Sequence, residues 1–125
     1  MRKTVLIVDD NAFIRHVLYE LFIRQEDLDV CGVAENGREA IEEAGLLRPD
    51  LIVLDLSMPV MNGLDAARVL KRMMPSVPII MYSAFEDKVS EQLARFRGIS
   101  ALVSKSEHVS VLIDKARGLL YPRAA

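Results

Sequence analysis

Five times along this chain a short run of consecutive apolar residues gives way to a stretch whose apolar residues recur every three or four positions. That alternation restricts the fold more than any other feature. The first run, Thr4-Val5-Leu6-Ile7-Val8, is β-branched and apolar on successive positions, as a strand buried on both faces must be. Behind it Ile14, Val17, Leu18, Leu21 and Phe22 make one helical stripe, which Asp10 or Asn11 can cap. Val30 to Ala34 reads as a second strand, Asn36-Gly37 as a turn, and Ala40, Ile41 and Ala44 as a second helix. Leu51 to Leu54 is the clearest strand, followed by a loop with Pro59 and Asn62-Gly63 and a helix through Ala67, Leu70 and Met74. Pro75 and Pro78 precede a strand over Ile79 to Tyr82. Val89, Leu93 and Phe96 predict a fourth helix with an apolar stripe, ended by Gly98. Ile99 to Val103 is the fifth strand, and Val109, Leu112, Ile113, Ala116 and Leu119 or Leu120 stripe the last helix.

Successive βα units demand right-handed crossovers over a parallel sheet with helices on both faces. The expected fold is α/β, a doubly wound five-stranded parallel sheet of order 2-1-3-4-5. At 125 residues and 51% apolar the chain can build one sizeable core, so residues 1–125 are expected to form a single domain. Sixteen Lys and Arg against eighteen Asp and Glu leave a net charge of −2, with no basic excess to neutralise a run of phosphates. Direct nucleic-acid binding is therefore not expected. Cys31 has no second cysteine to pair with, and no apolar run is long enough to span a bilayer. With no signal-peptide pattern after Met1-Arg2-Lys3, a soluble cytoplasmic domain away from membranes is expected.

In a doubly wound sheet, ligands sit beyond the carboxyl ends of the strands. Strand 1 ends in Asp9-Asp10, strand 3 in Asp55, strand 4 in Ser83, and Lys105 follows strand 5. In the expected order these strands are neighbours, so the side chains converge. Three carboxylates brought together repel, which raises a pKa or demands a cation. Hard oxygen donors with open positions suit Mg²⁺, and a lysine and a hydroxyl opposite suit an anion. The set is one for handling phosphoryl groups, with a carboxylate able to serve as nucleophile. Taken singly, each residue has a plainer reading: helix cap, turn residue or solvated charge. Their coincidence at one sheet edge is what favours chemistry.

The same residues carry a resemblance over essentially the whole chain. Val8-Asp9-Asp10, the stretch Leu54-Asp55-Leu56-Ser57-Met58-Pro59-Val60-Met61-Asn62-Gly63, Ser83-Ala84 and Lys105 resemble a two-component response regulator receiver domain of the CheY-like superfamily, with its flavodoxin-like (βα)5 fold. Asn36-Gly37 with Glu39-Ala40 is similar to the family's opening of the second helix. The resemblance implies that Asp55 is the phosphoacceptor, taking a phosphoryl group from a sensor histidine kinase or histidine phosphotransfer protein. It implies Mg²⁺ held by Asp9, Asp10, Asp55 and the backbone carbonyl of Ser57. Ser83 would hydrogen-bond a phosphoryl oxygen and Lys105 would pair with its charge. Ser83 and position 102 would switch the face of helix 4, strand 5 and helix 5, read by an output protein or effector domain or used in a phosphorylation-dependent homodimer. Such a domain is regulatory, with only self-catalysed phosphotransfer and autodephosphorylation, and is not a turnover enzyme.

Three positions depart from the family's usual pattern, one of them conservatively: Ser83 stands where Thr is commoner. Leu102 stands where an aromatic switch residue is common, and leucine cannot swap a ring between inner and outer positions. Ser106 replaces the proline that usually follows the lysine in a cis peptide, so a trans bond is expected. Ser57 and Phe85, two residues beyond Asp55 and Ser83, occupy places where side chains influence the hydrolytic water. Phe85 cannot orient that water, which implies a long-lived phosphorylated form.

The remaining candidates read as structure. His16 points away from the helical stripe, His108 opens the last helix without a companion ligand, and Cys31 is a small hydrophobe in a strand. A flavodoxin-like electron carrier would need a Ser/Thr/Gly-rich phosphate loop where Asp9-Asp10 stands. A haloacid-dehalogenase-type phosphatase would need a second acid at Ser57. The competing function is a phosphorylation-independent, pseudo-receiver-like interaction domain, which would be expected to lack an acid or the lysine.

Overall fold

Five strands form one parallel sheet: β1 (Lys3–Val8), β2 (Leu28–Ala34), β3 (Leu51–Leu54), β4 (Ile79–Ser83) and β5 (Ala101–Ser104). Their order is β2-β1-β3-β4-β5, as the alternation requires. Helices α1 (Ala12–Ile23), α2 (Gly37–Leu47) and α3 (Gly63–Met73) cover the connections, with helical residues 92–95 (α4) and α5 (Val109–Leu120) after β4 and β5. The structure, a computed structural model, describes residues 2–84, 92–95 and 97–122.

Successive strand residues serve two cores. Leu6, Val8, Ile52, Leu54, Ile79 and Met81 pack with Ala40, Ala44, Ala66, Ala67 and Leu70 of α2 and α3. Val5, Ile7, Leu51, Val53, Ile80 and Val103 pack with Leu18 and Phe22 of α1 and Leu112 and Ala116 of α5. This two-sided burial is why the strands read as unbroken apolar runs. Each buried Leu, Ile or Phe contributes about 1.5–3 kcal/mol, so both layers hold the strand ends firmly.

Three expectations are corrected. The fifth strand starts at Ala101, not Ile99, because the Ile99 N–H is drawn back to the Ala94 carbonyl (3.1 Å) around Gly98, whose φ is +87°. In the fourth helix Leu93 is 38% exposed, and Ala94 is the residue that enters the core. Val89 and Phe96 lie outside the described residues. The second strand also begins earlier, at Leu28, which is fully buried.

Candidate functional site

The sheet itself sets two of the acids. Beyond the end of β1 the Asp9 N–H still donates to Ala34 O (3.1 Å), and beyond β3 the Asp55 N–H donates to Val8 O (2.9 Å). The two residues therefore leave adjacent strands at one level, and both are buried, at 1% and 5% exposure. Asp10 follows on the exposed side, and one carboxylate oxygen from each of Asp9, Asp10 and Asp55 lies within 4.8 Å of the others. Lys105 is placed from β5, its N–H donating to Ser83 O at 2.9 Å. Its Nζ reaches Asp9 Oδ2 at 2.8 Å and Asp55 Oδ2 at 3.5 Å. Ser83, buried at the end of β4, completes the group.

Charge in this cluster is uneven. Burial pushes the Asp55 carboxyl above the ordinary aspartate range, and the neighbouring Asp9 charge adds to it against Lys105 and a hydrogen bond with Ser83. For Lys105, burial favours loss of the proton. The hydrogen bond to Asp9 and the charges of Asp55 and Asp9 outweigh it, so the ammonium is held above its usual range. The lysine sits closer to Asp9, which leaves Asp55 the less compensated carboxylate. All-oxygen donors carrying excess negative charge fit a hard divalent cation such as Mg²⁺. Softer ligands stand elsewhere: His16 is exposed on α1, Cys31 is half-buried in β2, and His108 caps α5 through Ser110.

The loop after β3 is held by two Asn-Gly pairs, Asn36-Gly37 at the opening of α2 and Asn62-Gly63 at the opening of α3. Asn36 and Asn62 have extended backbones and cap α2 and α3, accepting the N–H groups of Glu39 and Asp65 at 2.9 Å each. The glycines are the first helical residues, and closeness is what requires them. A Cβ on Gly63 would lie 2.1 Å from Asp55 O, and one on Gly37 2.7 Å from Met61 O. Between them Val60 has φ +67°, with the Met61 N–H donating to Pro59 O at 2.7 Å. That three-residue turn is strained for a β-branched residue.

Other expected positions are spread around this centre. Ser57 is exposed in the loop, Leu102 is half-buried against the α2–α3 core, and Phe85 lies outside the described residues. The bond after Lys105 is trans, as expected for Ser106. Asn11 caps α1 and its N–H donates to Asp9 Oδ1 at 2.9 Å. Sequence reasoning missed two neighbours. Arg15 Nη1 donates to Asp9 O at 2.7 Å, and the Tyr82 ring centroid lies 5.9 Å from Lys105 Nζ. Neither carries a motif; each reaches the site by the geometry of its element.

The sequence matches the response regulator receiver domain family over residues 5–117. The chain belongs to this family. Among curated proteins, it is 49% identical over 87 residues to a protein-glutamate methylesterase/protein-glutamine glutaminase of Pyrococcus abyssi, covering 70% of this chain and 23% of that protein. To a protein of the same name from Hahella chejuensis it is 44% identical over 126 residues, covering 98% of this chain and 32% of the other. The receiver thus spans about a quarter to a third of the length of these relatives. The solved response regulator domain of Thermotoga maritima CheB is 30% identical with a TM-score of 0.91, covering 99% of this chain and all of that one. Among the described residues no helix is long and apolar enough to cross a membrane.

Proposed function

We propose that this receiver is a phosphoacceptor domain in which Asp55 takes a phosphoryl group from a phosphohistidine on a sensor kinase or histidine phosphotransfer protein. The observation that carries the reading is the gathering of Asp9, Asp10 and Asp55 within 4.8 Å, with Lys105 2.8 Å and 3.5 Å from two of them. An Asp55 carboxylate oxygen attacks phosphorus, a P–O bond forms, and the P–N bond breaks with its electron pair returning to the imidazole nitrogen, which then takes a proton. Lys105 and the Ser83 hydroxyl stand where they can receive the phosphoryl oxygens. Asp9, Asp10, Asp55 and the Ser57 carbonyl would hold Mg²⁺, which when bound neutralises charge on the carboxylates and the phosphoryl group. Two exposed apolar side chains, Phe13 at 72% and Val60 at 76%, lie on the segments that follow these acids and suit docking of a protein donor.

The domain acts as a single regulatory unit in the cytoplasm. Movement at Ser83 and Leu102 passes to an effector on the α4–β5–α5 face. The test is intact-protein mass after incubation with Mg²⁺ and a small-molecule phosphodonor. One phosphoryl group is expected in the wild type, and none in Asp55→Asn or without metal. No addition from a small donor and no beryllofluoride binding would turn the reading to a phosphorylation-independent interaction domain.

A further inference from the structure

We propose that Arg15 is a positioning residue that fixes the Asp9-Asp10 peptide and so sets the two acids for a divalent cation; the proposal rests on the phosphoacceptor reading above. The Asp9 backbone is held on both sides of its Cα. Its N–H is tied to Ala34 O at the end of β2, and its carbonyl accepts a charge-assisted bond from Arg15 Nη1 at 2.7 Å. That carbonyl belongs to the peptide joining Asp9 to Asp10, so its orientation sets where both carboxylates leave the chain. Asn11 closes the turn, donating to Asp9 Oδ1 at 2.9 Å and capping α1 through its own side chain. Arg15 sits one turn into that helix, its N–H bonded to Asn11 O at 3.0 Å. The guanidinium side chain is only 16% exposed, so its fork is confined beside the turn. The outer contact, Nη2 to Glu35 Oε1 at 3.7 Å, ends on a carboxylate that is 64% exposed and adds little.

Charge and positioning predict opposite signs. A guanidinium near three carboxylates repels a divalent cation, so deleting it as a charge would tighten Mg²⁺ binding. Loss of a supporting contact behind a ligand typically weakens metal affinity by about 10–100-fold.

The experiment is a titration with Mg²⁺ alone at fixed ionic strength, following the backbone amide shifts of Asp10 and Asn11, with thermal unfolding measured in parallel. Arg15→Met is expected to weaken Mg²⁺ binding by about tenfold while the protein remains folded. Arg15→Lys keeps the charge but not the fork and is expected to weaken binding several-fold, which keeps the test decisive if the Met variant does not fold. Glu35→Gln is expected to leave affinity within about twofold. Equal or tighter binding in Arg15→Met, or unchanged binding in Arg15→Lys, overturns the proposal. An equal loss in Glu35→Gln overturns the assignment to the Asp9 carbonyl. Wild-type protein that takes up neither Mg²⁺ nor a phosphoryl group would instead overturn the phosphoacceptor reading.

Discussion

The two ends of one sheet treat their carboxylates in opposite ways. At the amino edge each acid has its own partners. Asp50 Oδ2 accepts the Thr4 N–H at 2.8 Å and the Thr4 hydroxyl at 3.2 Å, and the Asp50 N–H returns to Thr4 O at 2.9 Å. Asp27 pairs with Arg117, which also donates to Gln25 Oε1 at 2.6 Å. At the carboxyl edge Asp9 and Asp55 share Lys105, and Asp10 crowds in within 4.8 Å of both. Acids satisfied one by one stabilise the fold. Acids crowded beyond their counter-charges cost stability, and that cost marks a place where an incoming cation and phosphoryl group are welcome.

The sharpest break of this contrast is Asp55→Asn. Phosphorylation is expected to fall below detection, yet the protein should unfold at a higher temperature at neutral pH. The sign follows from the raised pKa of Asp55. A carboxyl whose folded pKa lies above its unfolded one contributes stability below the unfolded value and loses it as pH rises through the folded value. Wild type bears that cost at neutral pH and the asparagine does not. The gain should fade in acid, where Asp55 is protonated in both states. An Asp55→Asn protein less stable than wild type at neutral pH would remove the idea of stored repulsion.

At the other edge Asp50→Ala should do the reverse. It leaves the Thr4 N–H and hydroxyl without their acceptor, at a cost of about 1–3 kcal/mol in denaturant unfolding. Phosphorylation should stay within about twofold of wild type. A matching loss of phosphorylation would mean the two edges are coupled through β1. Gly63→Ala tests the support of the site rather than its charge. The new Cβ, 2.1 Å from Asp55 O, must displace backbone, so stability falls by about 1–3 kcal/mol and phosphoryl transfer slows. A Cβ on Gly118, on the exposed side of α5, would meet nothing within 4 Å. There Gly118→Ala should stabilise by about 0.5–1 kcal/mol, which separates closeness from backbone freedom as the reason for each glycine.

Much of this was legible in advance for a simple reason. Strands buried on both faces must be apolar at consecutive positions, so Leu51 to Leu54 announced itself, and with it the place of Asp55 at the carboxyl edge. Where burial is carried by small residues the signal fades: Ala94, not Leu93, enters the core of α4. Asn36-Gly37 read as a turn before a helix and Asn62-Gly63 as part of a loop, and neither reading showed why the glycines are needed. Only tertiary contact with Met61 and Asp55 shows that the glycines are kept for lack of a side chain. Arg15 and Tyr82 were not legible at all. An arginine six residues beyond an aspartate has no pattern of its own, and its bond to Asp9 O exists only once α1 folds back on the turn.

Val60 lies beside the strained edge and offers a smaller test of it. Its φ of +67° and 76% exposure put a β-branched residue where asparagine is tolerated far better. Val60→Asn should stabilise the protein by about 1 kcal/mol, read from the denaturant midpoint. If Val60 also helps to seat the phosphodonor protein, transfer from that donor should slow while transfer from a small-molecule donor is unchanged. No gain in stability would show that the turn between Pro59 and Met61 costs the chain nothing.

The smallest effect concerns Asp27. The Arg117 hydrogen bond holds its carboxyl below the ordinary aspartate value of 3.8, against desolvation and with help from Asp27's own backbone and the Arg117 charge. A depressed folded pKa contributes stability above the unfolded value and loses it as pH falls through the folded one. Arg117→Met should therefore be slightly less stable than wild type at neutral pH, with the difference shrinking in acid as Asp27 is protonated. The pair faces solvent, so added salt should shrink it too. Acid thus erases the Arg117→Met loss at one edge and the Asp55→Asn gain at the other, from opposite directions. Thermal unfolding of both variants across the same acid range measures this. A loss in Arg117→Met that persists unchanged in acid would assign its role to packing against Gln25 and the α1–β2 turn, and the charge contrast between the edges would then rest on Asp50 alone.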